Sequence, residues 1–163
     1  YDSAEGFCTF NGLMVTALAL LEEGVVRSIG ILDCDAHYGN GTDDIVKRLG
    51  VQGIRHHTMG AHFRHRDEAS LFEQWLHRAI EDCLDVDLLI YQAGADPHVN
   101  DPLGKVLTGV QMAKRDHAVF SAFQGRPLVW NLAGGYQRDV NGGIEPVLKL
   151  HRTTAQIQNI YQP

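Results

Sequence analysis

Segments with apolar residues three or four positions apart alternate along this chain with short runs that are apolar throughout. "FNGLMVTALALLEEG" carries Leu13, Val15, Leu18, Leu20 and Leu21 and stops at Gly24, a residue that readily takes the left-handed turn ending a helix. "VVRSIGILD" (25–33) follows as a strand. Thr42 is placed to cap a short helix whose first turn carries Asp43 and Asp44, where carboxylates meet the positive end of the helix dipole. Gly50 ends that helix, and "VQGIRH" is a weaker strand. Ser70 and Glu73 form a capping-box pair ahead of "LFEQWLHRAIEDCL". "VDLLIYQAG" (86–94) is the clearest buried strand, a near-continuous apolar run. Thr108 caps a further helix running to about Phe123, with Gly125 just beyond. "PLVWNLAGG" (127–135) is the last strand, and Pro146 opens a closing helix at the position that tolerates it.

This alternation predicts the α/β class, a mainly parallel sheet flanked by helices. A length of 163 residues suits a single domain over 1–163, and 44% hydrophobic residues supply a core. No apolar run approaches the ~20 residues that cross a bilayer, so no membrane partner is expected. The net charge of −6 opposes a nucleic-acid partner, which calls for a basic footprint. Cys8, Cys34 and Cys83 show no CxxC spacing and read as reduced thiols of a cytoplasmic protein. The first residue is Tyr1 rather than Met, and an upstream portion is expected to be missing.

Three of the strands run into polar or glycine-rich loops: "DCDAH", "GADPH" and "AGGYQRD". Open parallel sheets gather ligands at the carboxyl ends of their strands. Asp33, Asp35 and His37 alternate, so on an extended segment they leave the same face. Asp35 and His37 can then share one ion, with Asp96 from a second loop as third ligand and a position left open for water. Tyr136 offers a phenol that can donate to a developing oxyanion. Each piece has a plainer reading. D-x-D-x-H is more often a polar turn, Asp96 before a proline is an ordinary turn residue, and Gly134-Gly135 can simply permit a tight bend. His56 and His57 are adjacent and point apart on a strand, while His77, His117 and His151 fall in helical patterns.

The ordered set "GFCTFN", "LDCDAHYGNG", "YQAGADPH…DPLG", "LAGGY" resembles the histone deacetylase and acetylpolyamine amidohydrolase superfamily, from about Gly6 to Tyr136. The resemblance implies an arginase-like fold and a zinc-dependent deacetylase that hydrolyses the amide of an acetylated lysine or polyamine. It places Asp35, His37 and Asp96 on the zinc ligands and Tyr136 on the tyrosine that polarises the acyl carbonyl. Phe7 matches an aromatic lining the substrate channel, and Gly6 beside it supplies backbone contact. Asp33 matches a carboxylate that supports a catalytic histidine and an interior potassium ion. Asn40 stands where some members have Asp; with "AGGY" it follows the class II, bacterial pattern.

Two departures follow from the same resemblance. The family's adjacent histidine pair, which holds the general base, lies a few residues before "GFC", and this chain starts only five residues before Gly6. His56-His57 comes after the metal loop and does not replace it. The first strands of the family fold are missing as well, so the chain reads as the carboxy-terminal part of the domain, inactive by itself. The stretch from His57 to Glu73 is short, leaving Phe63 as the stand-in for a second channel aromatic. Arg55 and His56 fall near the potassium position, where an arginine disfavours that cation. The rival reading is a non-catalytic module that binds an acylated partner. Finally, the outer side of strand 127–132 is expected to lack a partner, which predicts self-association through that edge.

Overall fold

The computed structural model describes residues 8–161. Four strands form one sheet, β1 (Ile29–Asp33), β2 (Ile54–Thr58), β3 (Leu88–Ala93) and β4 (Leu128–Leu132), in the order β2-β1-β3-β4 with all three pairings parallel. Parallel neighbours need crossover connections, and helices supply them. The crossovers are α2 (Asn40–Leu49), α3 (Ala69–Asp82) and α4 (Gly109–Ala122), while α1 (Gly12–Glu22) precedes β1 and α5 (Glu145–Tyr161) follows β4.

Side chains alternate across a strand, and the two faces of β1 show it. Ile29 and Ile31 pack with Met14 and Ala17 of α1, while Leu32 joins a larger core with Phe72 and Leu76 of α3 and Val119 and Phe120 of α4. The sheet is therefore covered by α1 and α2 on one side and by α3, α4 and α5 on the other. Every residue of β1 is buried, which explains why its sequence is apolar on both faces until Asp33.

Several local expectations shift. The strand expected over 25–33 is regular only from Ile29, and the weak strand at "VQGIRH" lies at Ile54–Thr58. Thr42 is not a cap: α2 begins at Asn40, and the buried Thr42 hydroxyl accepts a hydrogen bond from Asn11 Nδ2 at 2.9 Å. Asn11 also caps α1 through Oδ1, so one side chain ties the starts of two helices together. Ser70 lies inside α3, and the capping box forms one turn earlier, where Glu68 accepts from the Arg64 and His65 amides. Thr108 does cap α4, reciprocally with Gln111.

β4 stands at the sheet edge, as the strand order requires, and among the described residues no strand pairs with its outer side. Val129 and Leu132 on it are 50% and 58% exposed. Phe63 is a core residue, in edge contact with Phe72 and Trp75 at 5.7 Å, and does not line a channel.

Candidate metal centre

The loops leaving β1, β3 and β4 meet at the carboxyl edge of the sheet. Asp35 and His37 come from the first, Asp96 from the second, and Gly134 and Tyr136 from the third. The candidate ligand atoms of Asp35, His37 and Asp96 all lie within 4.8 Å of one another. Residues 61 positions apart are thus brought to one point, because β1 and β3 are parallel neighbours in register, Asp33 opposite Gln92.

Nδ1 of His37 is the nitrogen turned toward the carboxylates, 3.0 Å from Asp35 Oδ1 and 2.8 Å from Asp96 Oδ2. One N–H cannot serve both, and Oδ2 of Asp96, on a fully buried side chain, is left without an aligned donor. The remaining oxygens are committed to backbone donors that fix the loops to each other. Asp96 Oδ1 accepts from the Ala36 amide at 3.0 Å, and Asp35 Oδ2 accepts from the Gly134 amide at 2.8 Å. A Cβ at Gly134 would sit 2.3 Å from Asp96 Oδ2 and 2.6 Å from Asp35 Oδ2, so only glycine lets the third loop approach this closely. Gly104 is similarly required, since a Cβ there would lie 1.8 Å from the Asp96 carbonyl oxygen.

Electrostatics follow from this crowding. Burial, reinforced by the neighbouring Asp35 charge, pushes the Asp96 carboxyl up to about 8. Burial works against protonating His37, but the Asp35 and Asp96 carboxylates outweigh it and raise its pKa. Without a cation the cluster retains protons that a divalent ion would displace. Two carboxylates and one imidazole, with a buried oxygen lacking an aligned donor and the imidazole side chain 53% exposed to solvent, suit a divalent ion that keeps an open position.

Beneath the cluster, Asp33 is held by three donors: its Oδ1 accepts from the Asp35 amide and from Gln92 Nε2, both at 3.0 Å, and Thr58 Oγ1 lies 3.4 Å from Oδ2. Burial raises its carboxyl to about 7. Tyr136 stands edge-on to His37, ring centroids 6.1 Å apart, and its amide donates to Asp101 Oδ2 at 2.8 Å. Burial and the Asp96 and Asp35 charges raise the phenol pKa, which keeps the hydroxyl a donor. Asp101 carried no role in the sequence reading beyond its place in "DPLG"; it is fully buried and also accepts from the Leu103 amide, bracing the second loop and the third at once.

Other expected residues fall elsewhere. Asn40 is exposed at the first position of α2 and does not join the ligand set. Arg55 points away from Asp33, donating to the Asp82 carbonyl and to Asp85. His56 is buried with Nδ1 2.7 Å from Asp43 Oδ1, and its neighbour His57 turns outward to Asp82 at 2.8 Å. Gly6 and Phe7 lie outside the described residues.

The family model for the histone deacetylase domain matches residues 1–63. An uncharacterised protein of Picosynechococcus sp. is 28% identical over 93% of this chain and 57% of its own length. The acetylpolyamine amidohydrolase of Mycoplana ramosa is 34% identical over 64% of this chain and 26% of its own length. In fold, the chain is similar to an acetylpolyamine aminohydrolase from Burkholderia pseudomallei, with a TM-score of 0.70 and 18% identity over 97% of this chain and 52% of that one. The chain thus spans little more than half the length of the relatives it matches, or less.

Proposed function

Because the chain belongs to the histone deacetylase and acetylpolyamine amidohydrolase superfamily, we propose that the loop cluster is a zinc centre for hydrolysing the amide of an acetylated lysine or polyamine. The observation that carries this reading is the convergence of Asp35, His37 and Asp96 ligand atoms within 4.8 Å, with Asp96 Oδ2 buried and facing only His37 Nδ1, without an aligned donor. Asp35, His37 and Asp96 would hold the ion. A bound zinc ion supplies a Lewis acid that polarises the acyl carbonyl and acidifies water.

The chain's own residues do the rest. Tyr136 donates its phenolic proton in a hydrogen bond to the acyl oxygen as negative charge gathers there, and burial with the Asp96 and Asp35 charges holds the phenol further toward its neutral, donating form. Asp101 fixes the backbone from which that phenol projects. Asp33 orients the loop by accepting the Asp35 amide. His57 turns outward to Asp82, and His56, bonded to Asp43 through Nδ1, is buried with its unpartnered Nε2 on the Asp33 side; neither belongs to the Asp35, His37 and Asp96 ligand set. The chain by itself is therefore a metal-binding unit with little turnover, because lacking a general base costs ~10²–10⁴-fold.

Zinc content and turnover of acetylated lysine and acetylpolyamine test this reading. Wild-type chain should take up one equivalent of zinc and the Asp96→Ala variant none. In an active full-length protein carrying these loops, Tyr136→Phe should lower kcat by ~10²–10³-fold, the usual effect of losing one oxyanion donor. Equal zinc content in wild type and Asp96→Ala would refute the centre; unchanged kcat in Tyr136→Phe would remove the phenol from the reaction.

A further inference from the structure

Arg115 is the largest fully buried side chain among the described residues, 1% exposed, and it lies directly under the two loops that carry Asp35 and Asp96. Its Nη1 donates to the carbonyl oxygen of Gly94 at 2.8 Å and to that of Cys34 at 3.2 Å. Cys34 directly precedes Asp35, and Gly94 stands two residues before Asp96. The same guanidinium donates through Nε to Asp116 Oδ1 at 2.9 Å. Asp116 is gripped in turn, by the Tyr91 hydroxyl of β3 and by Thr154 Oγ1 of α5 at 2.6 Å. A buried ion pair gives no stability that a well-packed apolar pair of similar volume would not, so stability alone does not account for its presence. Its geometry does something an apolar pair cannot. The guanidinium is rigid and planar, and it gives the ends of β1 and β3 one common donor.

We propose that Arg115 is a positioning residue that sets the separation of the Asp35 and Asp96 loops. Where the spacing of ligands is concerned, the inference rests on reading the cluster as a metal centre. The separation is reported without any metal by Ala36 N–H to Asp96 Oδ1 at 3.0 Å, and the attachment of the third loop to the Asp35 loop by Gly134 N–H to Asp35 Oδ2 at 2.8 Å. Arg115 touches neither, so a residue that merely fills the core would leave them intact.

Arg115→Lys keeps the charge but not the fork that reaches Asp116 and both carbonyls. The double variant Arg115→Met with Asp116→Asn removes both charges at similar volume and leaves groups that can still bond Tyr91 and Thr154, which keeps the chain foldable. Urea unfolding, amide hydrogen exchange at Ala36 and Gly134 in metal-free chain, chelator competition for zinc, and the visible absorption of the cobalt(II) form are then compared with wild type. In the double variant, with its cooperative unfolding retained, exchange at Ala36 and Gly134 should rise at least about tenfold. Zinc affinity should fall about 10–100-fold, the usual cost of losing a group that orients a ligand, and the cobalt band should change. Wild-type exchange rates and zinc affinity within twofold of wild type would overturn the proposal. If wild type itself binds neither zinc nor cobalt, the metal reading fails, and the exchange rates alone still decide whether Arg115 sets the loop spacing.

Discussion

Two buried charged clusters lie within a few residues of each other at the carboxyl ends of β1 and β3, and they are built on opposite principles. In the lower one, Arg115 faces Asp116, and both oxygens of Asp116 are bonded. In the upper one, two aspartates converge on a single imidazole nitrogen, and one carboxylate oxygen has no aligned donor. The first is closed: it satisfies itself and needs nothing from outside. The second is short of positive charge at a place where water does not reach the free oxygen. Asp96 and Asp116 are buried to the same depth, and such a carboxylate is structural when fully paired and a candidate for chemistry when it is not.

Breaking the closed cluster should have the largest effect. Arg115→Met alone leaves Asp116 charged, buried and without its partner, and should cost about 3–5 kcal/mol of unfolding free energy in a urea titration. Asp96→Asn in the open cluster should cost the metal-free chain less than about 1 kcal/mol, since it removes a repulsion and keeps an acceptor for the Ala36 amide. Equal losses from the two variants would erase the distinction.

Zinc sharpens the comparison from the other side. At about a thousand times its dissociation constant, zinc should stabilise the wild type by ~4 kcal/mol, by mass action on the folded state, and should leave Asp96→Asn unmoved. Thermal shift with and without zinc reads this directly. A similar shift in both proteins would mean that the ion binds elsewhere.

The same contrast, satisfied against unsatisfied, recurs in the sheet. β1 is paired on both sides, whereas β4 offers its outer backbone groups and the exposed Val129 and Leu132. We expect the chain to self-associate through that edge, and Val129→Lys to return it to monomer in light scattering across a dilution series. A wild type that stays monomeric throughout would remove this expectation.

The smallest effect is set by pH at His56, whose ring is nearly buried between Asp43 and the surroundings of Asp33. Burial lowers its pKa in the folded chain despite Asp43, so the unfolded chain takes up a proton first as pH falls below about 6.5. Toward pH 5 His56 should therefore lower the stability of the wild type relative to His56→Asn, against the opposite trend that the raised pKa values of Asp33, Asp96 and His37 give both proteins. Parallel pH profiles for the two proteins would show that His56 does not contribute.

Much of this was legible in the chain itself. Helix and strand order followed from the two hydrophobic periods. Thr108, Gly125 and Pro146 each stand at the helix end where their backbone preferences place them. The residue types of Asp35, His37 and Asp96 at strand ends named groups of the same rim, but β1 stops at Asp33 and the chain bends at residues 35–37, so the extended alternation expected there does not hold. These are local signals: period, cap and turn chemistry act within a few residues, so a linear sequence carries them. Thr42 and Ser70 misled because each has the right chemistry for a cap while a neighbour won the position; Thr42 is instead bonded to Asn11, 31 residues away. Phe63 likewise was decided by Phe72 and Trp75. Arg115, inside a helix, gave no sign of its role. Its partners at Cys34 and Gly94 are 81 and 21 residues distant, and they are backbone carbonyls, which every residue has. Sequence thus set which groups were available at the sheet's carboxyl edge. The parallel pairing of β1 with β3 and the packing of α4 beneath them decided which charges were neutralised there and which were left open.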